Sequence, residues 1–174
     1  MNFIWDNILN FSKNEKSISH KIKQNILFQD LTNQELKLVE NIINVRTYRP
    51  GEVIFRQGEV GVGMYIISKG SVGIYVEEIL PKTSETKTTH ITELHQGDFF
   101  GDLALVEDNG KRSASAVANQ ECELIGFFKP DLIEVAERSP NAGVKILLRL
   151  GEVLALRLKE TTARITELKK VTKE

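Results

Sequence analysis

The run Tyr48-Arg49-Pro50-Gly51-Glu52-Val53-Ile54-Phe55-Arg56-Gln57-Gly58-Glu59, followed after Val60-Gly61-Val62-Gly63 by Met64-Tyr65-Ile66-Ile67-Ser68-Lys69-Gly70-Ser71-Val72, decides the class of fold. Each apolar stretch is short, rich in β-branched and aromatic residues, and closed by a turn signal such as Pro50-Gly51 or Lys69-Gly70. Strands separated by tight turns follow from that spacing. The same pattern extends outward from Val45 to Phe128, and nine of the twelve glycines lie between Gly51 and Gly110. The predicted architecture is α+β and mainly β, an antiparallel β-roll or jelly roll of about eight strands. Further strands fit Ser113 to Ala118 and Cys122 to Phe128, whereas the polar, threonine-rich stretch Leu80 to Thr89 reads as a hairpin tip joining Val76 to Ile91.

Helices flank this middle. Met1 to Phe11 gathers Phe3, Ile4, Trp5, Ile8, Leu9 and Phe11 with no Lys or Arg before Lys13, which favours docking onto protein over an anionic lipid surface. Thr32 stands three residues before Glu35, a capping box, and Leu36, Val39, Ile42 and Ile43 follow at helical spacing. Lys129-Pro130-Asp131 opens a short helix that ends near Ser139-Pro140. Beyond it, Val144, Leu147, Gly151, Leu154, Leu158, Thr161, Ile165 and Leu168 alternate spacings of three and four, a heptad seam. A second copy of the same helix is the economical partner, so a parallel homodimer through 141–170 is expected, with Glu160 and Arg164 as an exposed ion pair. The boundaries that follow are an N-terminal helical segment 1–26, a β-roll with flanking helices 27–139, and a long C-terminal coiled-coil helix 140–174.

Composition removes several functions. A chain of 174 residues, 41% hydrophobic and 27% charged, is neither disordered nor a disulfide miniprotein. Lys and Arg number 23 against 24 Asp and Glu, a formal charge of −1, so no overall basic field exists to hold nucleic acid directly. The single Cys122 forms no intramolecular disulfide, and the N-terminus lacks a secretory signal pattern. The apolar stretch from Val144 to Leu158 carries Lys145, Arg149, Glu152 and Arg157, so no transmembrane segment is expected and the location expected is cytoplasmic.

Catalysis finds little support. His20, His90 and His95 show no metal-ligand spacing, and a metal-dependent cupin needs several convergent imidazoles from its barrel strands. No Gly-x-Ser-x-Gly is present, and Cys122 in an apolar strand reads as a buried, inert thiol. Neither an enzyme nor a metal centre is expected.

The informative stretch is Gly97-Asp98-Phe99-Phe100-Gly101-Asp102-Leu103-Ala104-Leu105, with Lys111-Arg112-Ser113-Ala114-Ser115-Ala116 after a loop. Glycine lets the main chain approach a ligand, and a short helix starting there aims free N–H groups outward. Arg112 adds a forked, permanently charged donor, and Asp102 an acceptor for hydroxyl protons. Backbone amides, one cation and one carboxylate suit a sugar phosphate better than a bare anion.

These blocks, in this order from about Leu27 through the C-terminal helix, resemble the cyclic nucleotide-binding domain family, and within it the branch of bacterial cyclic AMP receptor proteins. The resemblance implies a phosphate-binding cassette from Phe100 to Ala116. In it, Gly101 and the backbone near Leu103 and Ala104 would contact the cyclic phosphate or ribose, Arg112 would neutralise the phosphate, and Ser113 would hydrogen-bond nearby. Arg157, Thr161 and Thr162 match positions that support the ribose-binding carboxylate and reach the adenine edge. Thr161 has a plainer reading as a polar residue that sets coiled-coil register. The implied ligand is cAMP, with cGMP or another cyclic nucleotide as the alternative.

Two departures stand out. The family's usual glutamate is Asp102 here, one methylene shorter, and the usual proline before the arginine is Lys111. A lost charge-assisted hydrogen bond to the ribose would cost ~1.5–3 kcal/mol, roughly ten- to a hundredfold in affinity. A backbone shift, a different ligand such as a cyclic dinucleotide, or a degenerate, ligand-free dimeric scaffold would each accommodate that change. With few residues after Leu168, no DNA-binding domain is expected, and output is expected to pass through an unidentified downstream protein or the dimer surface.

Overall fold

The computed structural model describes residues 18–80 and 84–171; the N-terminal aromatic segment singled out above lies outside the described residues. Helix α1 covers 18–24 and α2 Asn33–Glu40, followed by strands β1 (Asn44–Tyr48), β2 (Val53–Phe55), β3 (Gly63–Lys69), β4 (Ser71–Ile79), β5 (Thr86–His95) and β6 (Phe99–Phe100). After a 3-10 turn at Asp102–Leu105 come β7 (Ser115–Ala118), β8 (Cys122–Phe128), α3 (Lys129–Arg138) and α4 (Pro140–Val171). The strands form two antiparallel four-stranded sheets, ordered β1-β8-β3-β6 and β2-β7-β4-β5.

Alternation along β3 and β8 sorts their side chains into two cores. Ile67, Cys122 and Leu124 face the second sheet, where they meet Val72, Ala116 and Ala118. Met64, Ile66, Ile125 and Phe127 face the helices, packing with Ile22, Phe28, Val135, Ile146 and Leu150. The first sheet is thus covered on both sides, which is why β3 and β8 read as nearly continuous apolar runs. Cys122 is buried, its thiol set against the carbonyls of Ser71 and Gln120 at 3.0 and 3.2 Å.

Local chemistry fixes the helix ends. The Thr32 hydroxyl accepts from the Glu35 amide at 3.3 Å while Glu35 accepts from the Thr32 amide at 2.7 Å, so the capping box is complete. Asp131 does the same for the amide of Phe128 at 2.8 Å, ahead of α3. Burial of that carboxyl raises its pKa. Gly143 is required where α3 meets α4, because a Cβ there would lie 2.7 Å from the Ala136 methyl.

Three expectations are corrected. Residues 86–89 are strand, not hairpin tip: Val76, Glu77, Glu78 and Ile79 pair with Thr89, Thr88, Lys87 and Thr86, so the ribbon runs on into solvent. Threonines suit a pleated ribbon, and the ladder needs no buried face. Strand β7 begins at Ser115 rather than Ser113. Glu160 and Arg164 do not come within ion-pair distance, as full solvation of two long side chains allows.

Helix α4 packs on the roll along its first half. Ala142, Ile146 and Leu150 are buried against the roll, and Leu154 packs half-buried beside them. The other apolar seam residues, Val144, Leu147, Leu158, Ile165 and Leu168, form a stripe exposed by 43 to 69%. Thr161, also in the seam, is exposed. Thr162 is exposed as well. Two ion pairs seat the first half of the helix: Lys145 to Glu35 at 2.7 Å and Arg149 to Asp30 at 2.6 Å.

Candidate functional site

A cavity of about 610 Å³ opens between the cassette, the β4–β5 ribbon and α4. Its floor begins at Gly101, whose φ of +77° ends β6 in a left-handed turn. A Cβ at that position would fall 2.5 Å from Arg112 Nη1. In the 3-10 turn that follows, the Ala104 amide donates to the Gly101 carbonyl at 3.2 Å, which leaves the amides of Asp102 and Leu103 at the open end. Ala104 lines the cavity with its N–H held inside the turn. The Leu103 side chain stays exposed at the rim.

Arg112 is pinned at both ends. Its amide donates to the Glu59 carbonyl at 2.8 Å and its carbonyl accepts from Gly58 at 2.9 Å, tying the cassette to the β2–β3 turn. The side chain is 8% exposed and faces the cavity, where Nη2 donates to the Gly63 carbonyl at 2.7 Å and Nη1 to the Gly101 carbonyl at 3.1 Å. Its Cζ lies 4.1 Å from the centroid of the Phe55 ring. Among the described residues no carboxylate comes within ion-pair distance of it. Burial lowers its pKa from the ordinary value, the sign of a cation that has lost water. Two of a guanidinium's five N–H groups are used, so three remain to meet an anion.

Asp102 is 3% exposed. Its Oδ1 accepts from Arg157 Nη1 at 2.6 Å, and its Oδ2 is buried with no hydrogen-bond partner among the described residues. Arg157 also donates to the Phe99 carbonyl at 3.2 Å and lies over the Phe99 ring at 4.9 Å. This pair joins the cassette to α4. Arg112 and Asp102 thus bring two polar demands, an anion and a hydroxyl donor, to one cavity.

Ser113 lines the same cavity from the exposed side, and Ser115 just behind it accepts from the Gln57 amide at 2.9 Å, holding the end of the cassette. Thr161 lines the cavity from α4, its hydroxyl donating to the Arg157 carbonyl at 2.8 Å. Thr162 does not line it. Its hydroxyl donates to the Leu158 carbonyl at 2.8 Å, and its side chain borders a shallow groove with Lys159 and Thr166 on the other side of the helix.

The sequence did not single out Phe55, Ile74, Thr92, Leu94 or Leu154 as wall residues, all of which line the cavity. A signal existed for three of them. Thr92 and Leu94 share a face of β5 by the period of two, and Ile74 pairs with Thr92 across the ladder. The wall is therefore charged and polar at the cassette and at Arg157, and apolar along Ile74, Leu94, Leu154 and Leu158, suited to a ligand with an anionic end and a flat, largely apolar body.

A family model described as the cyclic nucleotide-binding domain matches residues 45–139. The cyclic AMP receptor protein of Thermus thermophilus is 32% identical over 139 residues, covering 80% of this chain and 60% of that protein. The crystal structure of the catabolite activator protein from the same organism superposes with a TM-score of 0.70 at 30% identity, over 83% of this chain and 63% of the other. A cyclic nucleotide-binding domain from Methylobacillus flagellatus gives 0.71 at 23% identity, over 88% and 83%, a likeness of fold. The chain thus spans less than two thirds of the length of the Thermus relative.

Proposed function

Because this chain belongs to the cyclic nucleotide-binding domain family, we propose that it is a regulatory sensor that binds cyclic AMP, or else cyclic GMP or another cyclic nucleotide, in the cavity beside Arg112. One observation carries the reading: a buried guanidinium without a carboxylate and a buried carboxylate oxygen without a donor border the same cavity. A cyclic phosphodiester supplies the missing anion, and a ribose hydroxyl the missing donor. Ser113 and the amides of Asp102 and Leu103 add neutral donors to the phosphate, while Leu154, Leu158 and Thr161 cover the base.

Signalling follows from where these contacts originate. Those of the roll are made whether or not α4 moves, whereas those of Arg157, Leu158 and Thr161 require the helix to lie against the roll. A nucleotide therefore binds one helix position more tightly and shifts the equilibrium toward it. We read the exposed stripe of α4 as the seam of a parallel homodimer, in which Thr162 of one protomer is carried toward the cavity of the other. A cytoplasmic setting accords with the buried free thiol, and output runs to a downstream protein.

Isothermal titration of the full chain with cyclic AMP and cyclic GMP tests the first part. Saturable binding that Arg112→Ala abolishes is expected, and no heat with either nucleotide at millimolar concentration overturns it. Sedimentation equilibrium tests the second, where a monomer at micromolar concentration removes the dimer. The alternative, a ligand-free dimeric adaptor, is favoured by the short reach of Asp102, already clamped by Arg157.

A further inference from the structure

The guanidinium of Arg112 is boxed in more tightly than its two hydrogen bonds require. A Cβ at Gly61 would lie 3.2 Å from its Cζ and Nε, and one at Gly101 would lie 2.5 Å from Nη1. Two carbonyls hold its Nη1 and Nη2. The guanidinium sits over the ring of Phe55, the last residue of β2, with Cζ 4.1 Å from the ring centroid. The ring is itself fixed, 5.8 Å from Phe100 and 6.2 Å from Tyr65 between centroids.

A buried cation normally acquires a carboxylate, since desolvation without compensation is costly. Here the negative face of an aromatic ring takes that place. The difference matters to a binding site. A carboxylate neutralises the charge it compensates and competes with an incoming phosphate for the same N–H groups. A ring attracts the cation from its face, leaves the in-plane donors free, and has no proton or lone pair to exchange.

From this geometry we infer that Phe55 is a positioning residue for anion recognition: its ring holds the Arg112 guanidinium in register with the cavity and replaces a counter-ion that would blunt it. The inference rests on the cavity being the nucleotide site. It adds a residue forty-six positions before Gly101 in the chain to the set that determines affinity.

Ring fluorination tests it, because fluorinated phenylalanines keep the size of the side chain while draining its negative face. With mono-, di- and trifluorinated phenylalanine at position 55, cyclic AMP affinity measured by titration calorimetry is expected to fall stepwise, by about three- to thirtyfold in total. The thermal midpoint stays within a few degrees. Phe55→Leu loses a similar factor, and Phe55→Trp restores it. A second readout needs no nucleotide. In the free protein the Arg112 Nε–H proton resonance is expected upfield, from the ring current, with slow rotation about the Nε–Cζ bond, and Phe55→Leu removes both effects. Flat affinity across the fluorinated series, or an Arg112 resonance indifferent to Phe55→Leu, overturns the inference. Wild-type protein that binds no cyclic nucleotide but keeps the Phe55-dependent resonance instead overturns the reading of the cavity and leaves the ring's hold on Arg112 standing.

Discussion

Arg112 and Arg157 border one cavity from opposite walls. Arg112 belongs to the roll: buried, with no carboxylate within ion-pair distance among the described residues, and held by Gly63, Gly101 and Phe55. Arg157 belongs to the helix: its side chain is 44% exposed, and it is paired with the buried Asp102 and set over Phe99. One wall is thus assembled from contacts internal to the roll. The other exists only while α4 rests in place, and α4 is seated by its first half, through Ile146, Leu150 and the ion pairs of Lys145 and Arg149. Residues 155–170 are exposed on every side, so Arg157 stands about where anchoring gives out. A preformed anion seat faces a conditional lid, an arrangement in which affinity and signal come from different residues.

Substitutions separate the walls in order of expected effect. Arg112→Met is expected to weaken cyclic AMP binding by at least about a hundredfold, since two or more charge-assisted hydrogen bonds vanish. Its thermal midpoint holds or rises, because a desolvated cation is replaced by an apolar chain. Calorimetry reads both quantities, and a large fall in midpoint would mean that the guanidinium is structural. Arg157→Ala is expected to cost about tenfold in affinity and to speed amide exchange in α4 beyond Leu154, as seen by hydrogen-exchange mass spectrometry. A loss equal to that of Arg112→Met would erase the distinction between seat and lid.

Asp102→Glu comes next. If the ligand's hydroxyl needs the longer side chain, affinity rises up to about tenfold, and competition titration with a fluorescent nucleotide measures the gain. Unchanged affinity would show that the carboxylate serves Arg157 alone. The smallest effect concerns the seating of α4. The hydrogen bond from Lys145, and then that from the Thr32 amide, hold the Glu35 pKa below its ordinary value of 4.5. The folded state therefore gains stability above that value and loses it as pH falls through the lowered one. Glu35→Gln is expected to flatten this part of the acid melting curve, by less than about 1 kcal/mol for a partly solvated pair. An unaltered curve would remove this ion pair from the anchoring.

Much of this was legible in the chain. The strand Cys122–Phe128 has the boundaries its apolar run suggests, and the capping box at Thr32 and Glu35 closes as read. Hydrophobic periodicity is silent about a ribbon wet on both faces, so Thr86 to Thr89 passed for a turn. A heptad count does not tell that one of its positions, Leu154, packs half-buried on the roll while its apolar neighbours in the seam stay exposed. At the cavity, the residue types of Arg112 and Asp102 announced themselves, whereas Arg157 came only through the family resemblance; it pairs with Asp102 at 2.6 Å. Phe55 did not announce itself, because nothing in local spacing tells which of several aromatics will lie under a guanidinium 57 residues later.

The unbroken course of α4 has a mechanical consequence. From Arg157 to Val171 the helix advances about 21 Å at 1.5 Å per residue. A tilt of only about 5° at the seat of Arg157 would therefore sweep its far end through roughly 2 Å. A rigid rod pivoting near its ion-paired turn magnifies small displacements at the cassette, and a receiver gripping the outer end would feel them at full amplitude.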